Sequence, residues 1–576
     1  MTVPTLILPR RVSALRSVRR FDGWTAFSFV AAALIALPIL VVLSYVFVPT
    51  KEIWHHLATT VLPRYIGNSL ALAGGVGIGT LVIGVGTAWL VTLCRFPGRR
   101  VFEWALLLPL AMPAYVIAYT YTGLLDAAGP VQSLLRDSFG WSYGQYWFPQ
   151  IRSLPGAIAM MTLVLYPYVY MLARAAFLEQ SVCVLEVSRT LGSGPWRCFF
   201  YVALPLARPA VVTGVALVLM ETLNNFGTVL FFGVSTFTAG IYRTWLGMGE
   251  PAAAAQLAAI LTLFVFALIA FERISRGRGR VHHTTSRYRE LPRFQLQGIS
   301  AALAFLAAFL PILLGFLVPA AVLLGWSVDT AARIVDARYL SYAVNSFLLA
   351  ATAALAAVIV ATAMAYGLRM RPNRGMSTAV RIASMGYAVP GAVIAVGVLI
   401  PFAAFDNWLD AWMTARFGIS TGLLLSGTIV AVIFAYLVRF LAISLNTVEA
   451  SLGKVTRHMD DAARTLGTRP FATLLRVHLP ITWGSLLTAA ILVFVDVMKE
   501  LPATLLLRPF NFDTLAIRAY QLASDERLAD AASPSLAIVL VGIVPVILLS
   551  LAIARSRPGT RETPVREDYA AGAGDE

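Results

Sequence analysis

The sequence reads EVSRTLGSGPWRCFFYVALP from Glu186 to Pro205, and DAARTLGTRPFATLLRVHLP from Asp461 to Pro480. The two segments lie 275 residues apart and agree at eight of twenty positions. Each starts on an acid, Glu186 or Asp461, and places an arginine, Arg189 or Arg464, one helical turn later. Gly192 and Gly467 then end the helix, as a left-handed C-terminal residue does. Pro195 and Pro470 start a new helix, at the position where a missing N–H costs little. An aromatic follows each (Trp196, Phe471), and Leu204-Pro205 and Leu479-Pro480 close the segment. This spacing predicts a helix, a sharp turn and a second short helix, made twice. A plain amphipathic loop gives no reason for the same residues at the same spacing in two places.

These polar segments interrupt a chain that is otherwise apolar. Of 576 residues, 59% are hydrophobic and 13% charged, and the mean hydropathy is +0.76; soluble domains carry about 25% charged residues. An integral membrane protein follows. Apolar runs long enough to cross a bilayer fall near 27–48, 67–94, 103–125, 155–178, 207–232 and 252–271, then near 297–326, 344–369, 378–404, 421–446, 482–506 and 533–554. That predicts an all-α fold of about twelve spans in two groups of six. The first run is too long for a cleavable signal peptide and reads as an uncleaved helix.

The net charge of +16 is almost all arginine. The arginines cluster in short runs between spans, as topology signals do, rather than in a basic domain suited to nucleic acid. With even numbers of spans per half, they fall on one face. That face is expected to be the cytoplasm, with both termini inside. The three cysteines are too few for a disulfide framework. The adjacent pairs His55-His56 and His282-His283 do not share a helical face, so the histidines read as solvated loop residues rather than metal ligands.

The halves repeat one another beyond the opening segments. Tyr-Ile-Gly-Asn-Ser at 65–69 mirrors Tyr-Ala-Val-Asn-Ser at 342–346, and AMPAYVIA from Ala111 mirrors AVPGAVIA from Ala388, both offset by 277. Two six-span repeats in one orientation imply a pseudo-two-fold axis along the membrane normal. The expected organisation is a basic arm (1–24), a first repeat (25–272), a linker with seven arginines (273–296), a second repeat (297–555) and a disordered tail (556–576).

Ionisable residues inside spans are expensive and commonly functional. Glu221, Asn225 and Thr228 recur at i, i+4, i+7, as if on one helical face, with Asn224 beside them. Asp496 and Glu500 repeat the i, i+4 placement, with Lys499 in reach of Asp496. These residues are expected to line a translocation path or gate near the axis. Interhelical hydrogen bonding is the plainer alternative, and Pro502 is placed to break the second helix.

The segments at 186–205 and 461–480 resemble the EAA loop of permease subunits of ATP-binding-cassette importers: EAA, three residues, Gly, then a later Leu-Pro. Val187-Ser188 replaces the usual alanines in the first copy, and Asp461 replaces the glutamate in the second. The resemblance implies a type I importer permease fold, in which Glu186, Arg189, Gly192, Pro195, Leu204 and Pro205, with Asp461, Arg464, Gly467, Pro470, Leu479 and Pro480, couple to a cytoplasmic ATPase. ETLNNFGTVLFFGVSTFTAGIYRTW from Glu221, DVMKELPATLLLRPFNFDTLAIRAY from Asp496 and the fused layout resemble the iron(III) permeases. The implied function is import of ferric iron across the bacterial cytoplasmic (inner) membrane. The implied partners are a homodimeric ATP-binding subunit and an extracytoplasmic binding protein, periplasmic or lipid-anchored, besides membrane lipid. Similar permeases handle thiamine, phosphonates, polyamines or sulfate.

No G-x-x-x-x-G-K-[ST] loop is present, the one Gly-Lys pair being Gly453-Lys454. The chain is therefore expected to bind no cofactor and to catalyse no reaction, with ATP-Mg on the partner. An ion-coupled secondary transporter explains the membrane acids and the repeat, but not two coupling segments. A membrane enzyme needs a convergent catalytic set, which the sequence does not display.

Overall fold

A computed structural model describes residues 23–49, 51–180, 190, 194–276 and 293–555. Most of the basic arm and of the linker, the tail, and Glu186, Arg189 and Gly192 lie outside the described residues. The described chain is helical apart from one two-residue parallel pair, Cys94–Arg95 with Phe294–Gln295, which brings the end of the linker back to the first half.

Among the described residues, ten helices are long and apolar enough to cross a membrane. Five belong to the first half (Gly23–Phe47, Leu62–Leu93, Leu154–Leu178, Trp196–Asn224, Pro251–Ser275) and five to the second (Ile299–Ile334, Ala337–Met370, Gly391–Phe417, Ile429–Leu452, Pro470–Met498). The expected twelve thus becomes ten, or eleven when a broken pair is counted as one span. That pair is Arg99–Ala111 and Ala114–Phe139, which meet at 89°. The last expected span falls on Ala532–Arg555, whose apolar stretch Ala532–Leu548 is shorter than the rest.

The breaks have a local cause. Met112 and Val389, each before a proline, are extended (ψ 115° and 129°), and Pro113 and Pro390 follow with ψ 141°. A residue before proline is pushed out of the helical region, and proline supplies no N–H to continue the ladder. The run expected as one span at 378–404 is divided in the same way, into Arg374–Ala383 and the helix starting at Gly391. The Leu-Pro closures act similarly. A wide turn, Phe199–Ala203 or Leu474–His478, precedes each and absorbs the missing donor of Pro205 or Pro480.

The repeat is visible in hydrogen bonds. Asn68 Nδ2 donates to Ser235 O at 3.0 Å, and Asn345 Nδ2 to Asp513 O at 3.1 Å. Ser69 Oγ accepts from Phe237 N at 3.4 Å, and Ser346 Oγ from Leu515 N at 2.8 Å. The shared Asn-Ser motif thus ties the second helix of each half to the segment at 235–237 or 513–515.

Helix Leu62–Leu93 packs closely on Leu154–Glu179 because small residues face it: a Cβ on Gly75 or Gly79 would lie 2.7 Å from Ile158 or Thr162. In the second half Ala350, Ala353, Ala354, Ala357 and Ala361 are buried on the equivalent helix. The first helix of each half crosses to the other half. Gly23–Ser44 packs on Arg374–Ala383 and Gly391–Phe417, with Trp24 and Tyr366 rings 5.2 Å apart. Ile299–Ile334 packs on the first half, where Phe305 meets Phe102 at 5.2 Å and Leu314 O accepts from Tyr121 OH at 2.7 Å.

Candidate functional site

A polar cavity of about 110 Å³ lies where the two halves meet. Its wall includes Glu221, Asn224 and Asn225 from the first half and Asp496, Lys499 and Glu500 from the second. These are equivalent positions, 275 residues apart in each case. Other wall positions pair in the same way: Val164 with Arg439 and Leu165 with Phe440 at 275, Leu110 with Tyr387 at 277.

The helices that carry these groups stop at the cavity. Leu204–Asn224 ends there, Asn225 is extended (ψ 126°), and a separate short helix runs over Gly227–Phe231. Leu479–Met498 likewise gives way to Pro502–Leu507. The expected continuous face through Glu221, Asn225 and Thr228 is therefore corrected. Asn225 instead caps the short helix, its Oδ1 accepting from Thr228 N at 3.1 Å. Thr228 itself is fully buried, away from the cavity wall.

Glu500 does the same work with more partners. Ala503 N and Thr504 N donate to its carboxylate at 3.0 and 3.1 Å, and Thr504 Oγ1 donates at 2.7 Å. Arg439 Nη1 completes the shell at 3.0 Å, in a pair with side chains 8% and 2% exposed. A carboxylate this buried persists only with such a full set of donors. Asp496 is paired with Lys499 at 2.8 Å. Asn224 reaches across the halves, its Oδ1 accepting from Gly391 N at 2.7 Å. Among the described residues, no hydrogen bond or ion pair engages Glu221, which lies within electrostatic reach of Lys499. Three carboxylates against two cations leave the wall with one formal negative charge. Tyr115, Tyr168 and Tyr387 also stand on the wall.

Sequence reasoning missed Arg439, although an arginine within FAYLVRFLAIS carries the same signal as the acids. Gly391 and the tyrosines gave none, because their place depends on residues distant in the chain.

At the arginine-rich end, the chain around Asp461–Pro480 forms helix Arg457–Thr465, a turn and helix Pro470–Thr473. Gly467 has φ +74°, the left-handed conformation that turns the chain. Asp461 and Arg464 pair with each other at 3.5 Å and are 66% and 59% exposed, pointing away from the helices. Of the first segment, Pro195 starts helix Pro195–Cys198 and Leu204-Pro205 start the long helix that follows. The reading of the histidines as solvated loop residues is corrected: His55 and His56 are exposed but on helix Lys51–Thr60, and His478 is fully buried at the start of a span.

Comparison with known proteins decides the family. Residues 12–280 match the family described as binding-protein-dependent transport system inner membrane component. The molybdenum transport system permease protein ModB of Escherichia coli K12 is 30% identical over 209 residues, which is 34% of this chain and 88% of the relative. The chain belongs to this transport family. Within it, the permease is also similar to the Fe(3+)-transport system permease protein FbpB 2 of Haemophilus influenzae, 27% identical over 529 residues, 90% of this chain and 96% of the relative. A ferric transport system permease protein FbpB of Actinobacillus pleuropneumoniae is 25% identical over 484 residues, 80% of this chain and 66% of the relative. The permease is thus a multi-pass inner-membrane component, and its family works with a binding protein.

Proposed function

We propose that the permease imports ferric iron, taken from an extracytoplasmic binding protein and passed through the cavity between its halves. The observation that carries this reading is its end-to-end likeness to an Fe(3+)-transport permease, spanning 90% of this chain and 96% of that relative, and so both halves. The likeness to the molybdenum permease covers only 34% of the chain. The cavity chemistry agrees with a hard cation: carboxylate and amide groups line it, the formal charge is negative, and both cations on the wall are held by acids. Glu221, which no hydrogen bond or ion pair engages among the described residues, meets the passing ion.

The chain is a transport subunit and not an enzyme. It binds no cofactor, and ATP-Mg sits on a homodimeric cytoplasmic ATPase whose two subunits engage the segments around Glu186–Pro205 and Asp461–Pro480. The outward-facing pair Asp461 and Arg464 and the turn at Gly467 support this. ATP-driven closure draws the two segments together, and the halves rock about the axis between two packings. Both termini then lie in the cytoplasm. The exposed aromatics Tyr143 and Trp147, 78% and 87% exposed, lie at the opposite end, where they suit either a binding-protein dock or an interfacial belt.

Affinity purification of the chain from its host in mild detergent, with mass spectrometry of what accompanies it, tests this reading. A co-purifying P-loop ATPase is expected, lost when Gly192 and Gly467 are both replaced by bulky residues. An intact chain without any ATPase would contradict it and move the role of Glu221, Asp496 and Glu500 to ion coupling.

A further inference from the structure

The two coupling segments match in sequence but not in the joints behind them. Asp460 lies one residue before the exposed Asp461, on the inner face of helix Arg457–Thr465, with its side chain 11% exposed. Arg369 Nε and Nη2 donate to Asp460 Oδ2 at 3.0 and 2.8 Å, and His478 Nε2 donates to Oδ1 at 2.7 Å. The same guanidinium donates to Leu452 O at 2.6 Å and Val455 O at 2.8 Å. Tyr366 OH donates to Pro470 O at 2.8 Å, and its ring lies 5.4 Å from that of His478. The Asp460 carboxylate thus joins the coupling helix to the end of Ala337–Met370 and to the start of the helix that runs to the cavity, and Arg369 carries the link on to the end of Ile429–Leu452.

At the equivalent sequence positions the first half carries none of these side chains. Its equivalents are Thr92 for Arg369, Trp89 for Tyr366, Leu185 for Asp460 and Ala203 for His478. Among the described residues the Thr92 hydroxyl has no partner. Trp89 packs instead on Phe199 and Phe177, with ring centres 5.0 and 5.9 Å away. Apolar contact is non-directional and lets surfaces slide. Charge-assisted hydrogen bonds are directional, and a buried pair resists being pulled apart.

We infer that Asp460 is a positioning residue that makes the second coupling helix a rigid lever, through side chains that the first half does not carry at the equivalent positions. This rests on the reading that an ATPase docks on these segments.

The test uses the full complex of permease, ATPase and binding protein in vesicles, with radiolabelled ferric iron as the probe. The readout is iron taken up per ATP hydrolysed, normalised to assembled complex. In Asp460→Asn, assembly and hydrolysis persist, and the ratio falls by about fivefold or more, the range of allosteric couplings. Asp460→Glu recovers part of it, and Thr92→Val in the first half leaves it unchanged. Should Asp460→Asn fail to assemble, Arg369→Lys, which keeps the charge but loses the fork, must show the same fall. A wild-type ratio in either assembled variant, or an equal fall in Thr92→Val, overturns the inference. A wild-type complex whose ATPase does not respond to loaded binding protein sinks the docking reading first, and the inference with it.

Discussion

Gly391 has no room for a side chain. A Cβ there would lie 2.6 Å from Arg439 Nη1 and 2.8 Å from Glu500 Oε1, inside the buried ion pair that holds the cavity wall. Gly391→Val should therefore displace that pair and the bond from Gly391 N to Asn224. Uptake should be lost while the chain still reaches the membrane, as membrane fractionation beside an uptake assay would show. Glu500→Ala leaves Arg439 buried and unpaired, a change that costs about 3–5 kcal/mol. Glu500→Gln keeps part of the hydrogen-bond shell, so thermal unfolding in detergent should rank it between wild type and Glu500→Ala. At this scale the ionisable residues were legible, since a charge in an apolar run stands out against its surroundings. Glu221, Asp496, Lys499 and Glu500 meet in one cavity. Gly391 was not legible, because what crowds it comes from positions 48 and 109 residues further along the chain.

The elements were legible as runs, and their breaks only in part. Hydropathy finds apolar stretches without regard to direction, so it joined segments that Pro113 and Pro390 divide and joined Leu204–Asn224 to Gly227–Phe231. Those breaks place backbone ends and caps at the cavity, which continuous helices do not offer. The turn at Gly467 was readable from its spacing, because a left-handed residue is what a glycine at a helix end provides. Its φ is +74°, and a Cβ there would meet nothing within 4 Å, so the constraint is conformational and not steric. Gly467→Val should cost about 1–2 kcal/mol in backbone conformation and weaken the coupling of ATP hydrolysis to uptake. Gly467→Asn, which tolerates that region, should keep most of it. Equal coupling in Gly467→Val and wild type would show that the turn does not matter.

The whole molecule is held by contacts that no single run of sequence announces. Each first helix packs partly on the other half, and apolar periodicity does not specify a partner. At the end away from the coupling segments, Arg152 binds both oxygens of Glu526 at 2.6 Å and ties the first half to the second. The guanidinium holds the Glu526 carboxyl below the usual carboxylate range. A depressed carboxyl stabilises above its unfolded pKa, and that contribution is lost as pH falls through the lowered value. The pair is partly exposed, so the effect is small. Wild-type thermal stability should decline on acidification through the carboxylate range slightly more than that of Glu526→Gln; identical pH profiles would show that the tie adds nothing.

The central claim is that this chain forms a path for ferric iron driven by an ATPase beneath it. The most direct measurement is uptake by sealed vesicles that hold the purified permease with its ATPase, with ATP on the coupling-segment side and the binding protein loaded with radiolabelled ferric iron on the other. ATP-dependent iron accumulation is expected, abolished without the binding protein and strongly reduced by Glu221→Ala. ATP-dependent uptake of molybdate but not iron, or iron uptake that needs no ATP, would contradict it.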